Sequence, residues 1–494
     1  MKYDYVVIGS GISGLVSGII LSKQGLSVAV LEKAAQPAPL LRGFKRRGIH
    51  IDTGFHYTGA FAHGEALDSY FRYLNIAEDL EKIPYDSECF DSFYFTDDDY
   101  SFSFPFGYER LRDRLCSAFP HEKKGIDSYL HTVSEEFNRS PHLNLDISSN
   151  NIFMYDPYSS QSLNSFLQGL ISNPRLRSIL SMHYLLYGTE PGRSSVSVHA
   201  QVAGSLYSSV HGIKGGGRTL AKTLLQRLRN LDADIFSRSN VARVMVRAGE
   251  FQGVELANGE TVQAKGCISS IHPRALLPLV EETAFRPATR QRFQAFEDTT
   301  SAFMFSAELE QLPEMLSRKN LFLCPDDDLD TYCHLERAIE KRPFFFASAG
   351  LENEKSRPGM IMLCPASMQE MYPWRDSLPE HRPESYLEMK QALMQRVHDH
   401  VLRKVPAIHS LTMLDCATPL TFRDYANAPS GCLYGIKQKY GQLNPTPLSK
   451  IRGLYLTGQA LTAPGILGGT ISAFLTCGVI LGQQKLIQEV RKCR

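Results

Sequence analysis

The first 33 residues contain the pattern that most restricts how this chain can fold. Residues 3–33 read YDYVVIGSGISGLVSGIILSKQGLSVAVLEK. The run Tyr5–Ile8 is apolar on both faces, which is typical of a central strand in a parallel sheet. An apolar helical stretch and a second strand, Val28–Leu31, follow it. This strand–helix–strand unit predicts an α/β fold with a Rossmann-type domain.

Three glycines join the first strand to the helix in the pattern GxGxxG: Gly9, Gly11 and Gly14. The first allows a tight turn, the second lets the backbone approach a pyrophosphate, and the third lets the helix pack close to the sheet. Between them, Ile12 and Ser13 open the helix, whose free N–H groups and dipole favour phosphate. We expect all five residues to contact a dinucleotide.

The second strand ends at Glu32, with Lys33 beside it. A carboxylate at this position suits the two hydroxyls of a ribose and repels a 2′-phosphate. An ordinary strand–helix–strand turn would need neither all three glycines nor this carboxylate. We therefore expect an ADP moiety here, with Glu32 and Lys33 among its contacts.

The C-terminal region indicates which dinucleotide binds. Residues 454–457, LYLT, predict a short strand, and GQALTAPGILGGTISAFLTCGVILG follows. A glycine and proline-rich loop that opens an apolar helix places N–H groups and a positive helix end where a reduced flavin carries negative charge. We expect flavin contacts at five residues: Gly458, Gln459, Gly465, Ile466 and Gly468.

Several segments resemble one group of flavoenzymes. TGQALTAPGILGG, preceded by ATPLTFRDYANAPSGCLYG at 417–435, is similar to the phytoene desaturase, carotenoid isomerase and retinol saturase family. HIDTGFHYTG at 50–59 resembles its Asp-x-Gly-x-His segment, particularly in the retinol saturase branch. AFPHEKKGIDSY at 118–129 and IKGGGRTLAKTLLQRL at 213–228 fit the same family. The resemblance runs from residue 3 to about 485, with gaps in the middle.

The resemblance implies an FAD-dependent oxidoreductase that acts on carbon–carbon bonds of a lipophilic polyene by hydride transfer at flavin N5. Likeness to the retinol saturase branch favours saturation over desaturation. Three alternatives stay open: a redox-neutral polyene cis–trans isomerase, an amine oxidase-like flavoprotein, and a non-enzymatic lipid escort such as the Rab GDP-dissociation inhibitors. In this family Val241 or a neighbour would present its backbone to the adenine.

One departure from the family concerns the loop after the second strand. The family has a Gly-Gly pair there, whereas this chain reads QPAPLLRGF at 36–44. Ala38 and Pro39 occupy the pair's place, and Gly43 is the glycine that is left. Because this loop runs alongside the flavin in the family, weaker FAD binding is one expectation to test.

The resemblance also predicts a discontinuous Rossmann-type FAD-binding domain, interleaved with an α+β substrate domain. We assign 1–75, 205–290 and 450–494 to the first, and 76–204 and 291–449 to the second. The segment 76–204 reads as helical and rich in aromatic residues. Those aromatics would line a tunnel for a long apolar substrate or form core.

The family places the segment 50–59 near the flavin, which makes His56 and Tyr57 the first candidates for moving a proton. Arg423 and Tyr434 lie in the similar C-terminal block and are further candidates. The alternative for His56 is a histidine that satisfies backbone groups in a turn. Two other histidines read as core, His183 in SMHYLLYG and His199 in SSVSVHAQ, and Asp52 as a turn-former.

Composition limits the partners. Lys and Arg number 53 against 52 for Asp and Glu, so the net charge of +1 gives no footprint for nucleic acid. No second glycine fingerprint follows a strand, so the electron donor or acceptor is external. No metal cluster or CxxC pair is evident among ten scattered cysteines, which predicts reduced thiols. We expect a cytoplasmic protein with peripheral membrane contact.

Overall fold

The computed structural model describes residues 2–147, 160–328, 334–349 and 357–494. Nine cysteines fall within these ranges and all are free thiols. Six of them are buried, whereas Cys89, Cys116 and Cys493 are half-buried. The tenth, Cys333, lies outside the described residues.

The strands of the described chain are, in order, β1 (Lys2–Ile8), β2 (Val28–Leu31), β3 (Phe44–Arg46), β4 (Ile49–Ile51), β5 (Thr58–Gly59), β6 (Lys82–Pro84), β7 (Asp91–Phe95), β8 (Tyr100–Phe104), β9 (Val210–Ile213), β10 (Asp234–Phe236), β11 (Val241–Arg247), β12 (Glu250–Leu256), β13 (Thr261–Ser269), β14 (Ser301–Leu309), β15 (Asn320–Cys324), β16 (Phe344–Ala349), β17 (Gly359–Ala366), β18 (Leu411–Ala417) and β19 (Leu454–Leu456).

The α-helices of the same residues are α1 (Ile12–Lys23), α2 (Ala66–Tyr73), α3 (Tyr108–Ala118), α4 (Lys123–Arg139), α5 (Leu163–Leu170), α6 (Pro174–Ser181), α7 (Val196–Ser208), α8 (Gly216–Arg229), α9 (Pro273–Leu276), α10 (Pro287–Ala295), α11 (Glu384–Lys404), α12 (Pro419–Ala426), α13 (Gly465–Leu481) and α14 (Gln483–Arg491).

The first large sheet has the order β10-β2-β1-β13-β12-β11. In addition, β19 pairs with the C-terminal part of β13, whereas β12 pairs with its N-terminal part. Strands β10, β2, β1, β13 and β19 are parallel, whereas β11 and β12 form an antiparallel extension. Successive residues of β1 serve two cores, since Val6 packs on one face and Val7 on the other. This confirms the predicted strand that is apolar on both faces and the Rossmann-type fold.

The second large sheet has the order β18-β14-β17-β16-β15-β7-β8. Its pairs are antiparallel, except that β15 runs parallel to β7. Helices α4, α5, α6 and α7 contribute to the core on one face, and α11 to the core on the other. The two sheets draw strands from the segments assigned to the two domains, whose boundaries stay predictions.

The helical reading of residues 76–204 was wrong for its aromatic part. Residues 82–104 form β6, β7 and β8, and the latter two join the second sheet. In β7 the side chains alternate, with Asp91, Phe93 and Phe95 buried. That period of two is the strand signal, and the aromatic residues of the segment also favour a strand.

Helix α13 is the buried C-terminal helix that the apolar run near 468–482 predicted. It packs against α1, and both helices begin at the carboxyl edge of the first sheet. No helix among the described residues is long and apolar enough to span a bilayer. The two helix starts therefore define the edge at which the functional site is built.

Candidate active site

The turn after β1 leaves an open space above the start of α1. Gly11 has φ −67°, and a Cβ built there would meet nothing within 4 Å. A Cβ on Gly14 would instead lie 2.1 Å from the carbonyl oxygen of Gly9. The turn is thus closed behind Gly14 and open in front of Gly11, where the first-turn N–H groups have no intrahelical acceptor.

The start of α13 meets the start of α1. Ser13 donates its hydroxyl proton to the carbonyl oxygen of Gly469 at 2.9 Å. A Cβ on Gly469 would lie 2.5 Å from a methyl carbon of Ile12. The absent side chain at Gly469 therefore allows the two helix N-termini to converge, which concentrates positive dipole ends at one place.

Glu32 follows β2 at the predicted position and is buried. Its carboxylate accepts hydrogen bonds from the Ser10 backbone N–H at 3.0 Å and the Ser10 hydroxyl at 2.6 Å, and from Ala34 N–H at 2.8 Å. Glu32 therefore shapes the nucleotide loop as well as offering its remaining lone pairs to a ribose. Lys33 points elsewhere and donates to the side chain of Asn427 at 3.0 Å.

The loop that lacks the Gly-Gly pair keeps a glycine-like backbone. Ala38 is fully buried with φ 56°, and its N–H donates to the Ser10 hydroxyl at 2.8 Å. Gly43 also has a positive φ of 59°, and a Cβ there would lie 2.2 Å from the carbonyl oxygen of Ile51. Position 38 therefore has the left-handed backbone that glycine favours, although it carries an alanine.

The remaining predicted cofactor residues lie along the same edge or beside it. Val241 is the buried first residue of β11. Gly458 follows β19 with φ 117°, and its N–H donates to the Ser472 hydroxyl at 2.8 Å. The side-chain amide of Gln459 donates to the carbonyl oxygen of Leu433 at 3.4 Å.

A cavity of about 500 Å³ begins where this edge ends. Gly465, Ile466 and Gly468 line it, together with the segment 54–59. Its other walls come from α7 and from the second sheet. Apolar side chains dominate these walls, among them Val198, Val202, Leu206, Phe345, Leu363 and Leu475.

His56 and Tyr57 both line the cavity. Burial lowers the pKa of the His56 imidazole to about 4, although the nearby Asp52 opposes the shift. The Tyr57 ring stacks on Phe345 with ring centroids 6.1 Å apart. Burial, and after it the charge of Asp91, raises the pKa of the Tyr57 phenol well above its ordinary value.

Tyr434 reaches the same cavity, and Arg423 does not. Burial raises the pKa of the Tyr434 phenol to about 12. The Arg423 guanidinium donates to Asp424 at 2.7 Å and to the carbonyl oxygens of Arg375 and Ser377. Because these bonds turn it away from the cavity, the structure does not support Arg423 as a catalytic group.

Asp91, His183 and Asn320 form a polar group behind Tyr57 that the sequence reasoning missed. The Tyr57 hydroxyl donates to Asp91 Oδ2 at 3.1 Å, and His183 Nε2 lies 2.9 Å from the same oxygen. Asn320 donates its amide to Asp91 Oδ1 at 2.8 Å. His199, by contrast, belongs to a buried tyrosine network outside the cavity lining, as the core reading expected.

The described residues contain one group with metal-like spacing: His272, Asp298 and Cys432. The Asp298 carboxylate already accepts hydrogen bonds from His272, Arg274 and Ser430. His272 Nδ1 accepts the N–H of Arg274 at 3.1 Å, which places the ring proton on Nε2. These bonds account for the group without an ion.

Comparison with known families decides what this site belongs to. Residues 12–305 match the family described as flavin containing amine oxidoreductase. The chain belongs to that family. The open turn at Gly11, the converging helix starts and Glu32 fit its cofactor, and the protein is an FAD-dependent oxidoreductase.

Among curated relatives, all-trans-retinol 13,14-reductase of Danio rerio is 24% identical over 98% of this chain and 87% of that one. The Homo sapiens protein of the same name is 27% identical over 97% and 86%. Prolycopene isomerase of Daucus carota is 24% identical over 93% and 76%. These proteins match the branch that the sequence motifs resemble.

Solved structures share the fold at low identity. An oxidoreductase from Methanosarcina mazei has a TM-score of 0.67 and 14% identity, over 97% of this chain and all of that chain. Putrescine oxidase bound to putrescine has a TM-score of 0.64 and 13% identity, over 99% of each chain. At these identities the likeness shows the fold alone.

The two glycines at the start of α1 predict opposite effects of the same substitution. Gly11→Ala leaves the thermal stability of the apoprotein unchanged because its Cβ meets nothing, but it weakens FAD binding by at least about tenfold because it fills the approach to the pyrophosphate. Gly14→Ala lowers the unfolding temperature because its Cβ collides with Gly9. Flavin absorbance and thermal unfolding measure both effects; a Gly11→Ala protein with full FAD content would contradict the assignment.

Ala38 predicts a gain in stability when a glycine replaces it. The left-handed backbone conformation costs a residue with a Cβ roughly 1–2 kcal/mol of free energy. The added flexibility of glycine in the unfolded chain offsets about 0.5–1 kcal/mol of this. The difference predicts that Ala38→Gly raises the free energy of unfolding by up to about 1.5 kcal/mol in urea titrations, with FAD content unchanged. The exposed Ala35→Gly change in the same loop is the control, and equal effects of the two would refute the strain.

Proposed function

We propose that this enzyme reduces a carbon–carbon double bond of an extended, lipophilic polyene. The observation that carries the proposal is the cavity of about 500 Å³, which joins an apolar wall to the segment 465–468 of the cofactor edge. Its volume lies within the range of small-molecule sites. A long apolar substrate gains free energy by leaving water for such a wall.

The relatives support the direction of the reaction. The match to the all-trans-retinol 13,14-reductases covers nearly the whole chain, and their name describes a reduction at the 13,14 bond. The prolycopene isomerase match covers 93% of the chain, so polyene isomerisation without net reduction is the second candidate. Both candidates place a conjugated hydrocarbon chain in the same cavity.

Bound FAD, in its reduced form, supplies a hydride to one carbon of the double bond. The chain itself must hold that bond beside the cofactor, exclude water and deliver a proton to the second carbon. Residues of the FAD edge would hold the cofactor: the open turn at Gly11, Glu32, and the start of α13 at Gly465. The aromatic and aliphatic walls would exclude water.

A cavity phenol is the best proton donor in this arrangement. His56 is neutral at pH 7, because its pKa is lowered to about 4, so it has no imidazolium proton to give. The pKa values of Tyr57 and Tyr434 are both raised, so each phenol keeps its proton until the substrate carbon takes it. His56 then serves as a polar part of the wall.

The proposal is tested with the anaerobic, photoreduced enzyme and a panel of polyenes that includes retinol and carotenoids. We expect at least one polyene to reoxidise the flavin while its own absorbance shifts to shorter wavelength, because a shorter conjugated chain remains. A changed polyene spectrum without flavin reoxidation would favour the isomerase. Reoxidation by an amine and by no polyene would overturn the proposal. An apoprotein without flavin bands would favour the lipid escort.

A variant that fills the cavity sharpens this test. Val202→Trp on α7 should slow the reaction with the polyene at least about tenfold and leave the FAD content unchanged, because the new ring occupies substrate space. Leu387→Trp is the matched control, since Leu387 is 55% exposed on α11 and does not line the cavity. Equal rates in the two variants would place the substrate elsewhere.

A lipophilic substrate also leads us to propose peripheral contact with membranes. We expect the purified protein to co-sediment with liposomes of phosphatidylcholine and phosphatidylserine at low salt. Sedimentation of the liposomes alone and of the protein alone gives the baselines. Protein that stays in the supernatant at low salt would count against this contact and would leave the reductase proposal untouched.

A further inference from the structure

We propose that Asp91 and His183 form a buried proton relay that resupplies Tyr57 when Tyr57 protonates the substrate. The inference rests on the proposed reduction, because the hydride comes from reduced FAD. It goes further by naming the phenol that donates and the groups behind it. Tyr57 touches the cavity, whereas Asp91 and His183 act through it as positioning residues.

The geometry links the three groups in one line. The Tyr57 hydroxyl lies 3.1 Å from Asp91 Oδ2, and His183 Nε2 lies 2.9 Å from the same oxygen. A single carboxylate oxygen therefore joins the cavity wall to the imidazole. Asn320 holds the other oxygen at 2.8 Å and fixes the plane of the carboxylate.

Burying Asp91, His183 and Asn320 costs free energy of folding, so the stability of the fold does not by itself explain the group. Asp91, His183 and Asn320 are each 0% exposed. No lysine or arginine forms an ion pair with Asp91 among the described residues; His183 is its ion-pair partner. A buried carboxylate whose partner is an imidazole stabilises the fold only while the imidazole N–H donates a hydrogen bond to it. The group lies one hydrogen bond behind Tyr57 of the cavity wall.

Aromatic rings enclose His183. Its ring stacks on Phe90 with centroids 5.9 Å apart and planes 11° apart, and the edges of Phe93, Phe104 and Phe322 surround it. Among the described residues, His183 Nδ1 has no hydrogen-bond partner. A proton of this ring can therefore leave along the hydrogen bond between Nε2 and Asp91.

The proton balance is complete in one step. The Tyr57 O–H bond breaks as a C–H bond forms on the carbon next to the one that receives the hydride. The relay starts with His183 as the imidazolium and Asp91 as the carboxylate. In the same step the Nε2 proton of His183 passes by way of Asp91 Oδ2 to the phenolate oxygen of Tyr57. The imidazolium becomes a neutral imidazole, and Asp91 stays a carboxylate. After product leaves, water in the cavity returns a proton through Tyr57.

Three other groups near Asp91 do not provide this path. Tyr85 senses the Asp91 charge, but its hydroxyl donates to the backbone oxygen of His56 at 3.4 Å. Cys89 donates to the backbone oxygen of Asp91 and not to its carboxylate. Tyr434 lines the cavity but has no carboxylate partner in the described structure, so it has no resupply.

The experiment follows single-turnover reoxidation of the photoreduced enzyme by the polyene that the panel identifies. We expect Tyr57→Phe, Asp91→Asn and His183→Gln each to slow it by about a hundredfold, the range of a lost general acid. The double variant Tyr57→Phe with Asp91→Asn should be no slower than Tyr57→Phe alone, because both act on one path. Multiplied effects in the double variant would overturn the relay.

Two controls separate the relay from general damage. His400→Gln removes another buried imidazole, which contacts Phe344 and not the cavity. It should react like wild type. Binding of the polyene to the oxidised Asp91→Asn and His183→Gln enzymes, measured by flavin fluorescence, should stay within about twofold of wild type. If Asp91→Asn and His183→Gln react as fast as His400→Gln, the relay is wrong.

A spectroscopic measurement tests the pair without turnover. The infrared difference between wild type and Asp91→Asn should show carboxylate bands and no protonated carboxyl band at neutral pH. A protonated carboxyl band would contradict the charged pair. If no polyene reoxidises the wild-type flavin, the reductase proposal fails, while the infrared result still decides the state of Asp91.

Discussion

The close approach of α1 and α13 is the constraint on which the rest of the structure depends. Gly469 has no side chain where Ile12 and Ser13 cross it, and Ser13 bonds its carbonyl oxygen. Two positive helix ends therefore meet at the carboxyl edge of the parallel sheet. The edge binds an anionic cofactor, and the loop that leads into α13 forms one end of the cavity.

The segment 54–59 connects this edge to the second sheet. It begins beyond the hairpin of β3 and β4 and ends in β5, which pairs with β9. Between these anchors, Tyr57 stacks on Phe345 of β16 and binds Asp91 of β7. The segment 54–59 therefore links the cofactor edge to the second sheet. A shift of either one would move the cavity wall.

The sequence predicted the parts of the site that are local in the chain. Three features lie in short segments where a strand leads into a turn or helix: the GxGxxG turn, Glu32 and the start of α13. A local pattern of this kind can be recognised in the sequence. Resemblance placed His56 and Tyr57 near the cofactor. Arg423 does not line the cavity, because its guanidinium bonds Asp424 and the carbonyl oxygen of Arg375, and a sequence motif does not show such contacts.

The group behind Tyr57 lay beyond that reasoning because its members are distant in the chain. Asp91 and Asn320 face each other only through the parallel pairing of β7 and β15, and His183 comes from a short helical turn. One signal was present: Asp91 occupies an inward position of a strand that otherwise buries Phe93 and Phe95. A charged residue at such a position costs free energy unless it is paired. Packing alone would have favoured a third phenylalanine at this position, so the buried carboxylate is a signal that the strand pattern offers and no motif does.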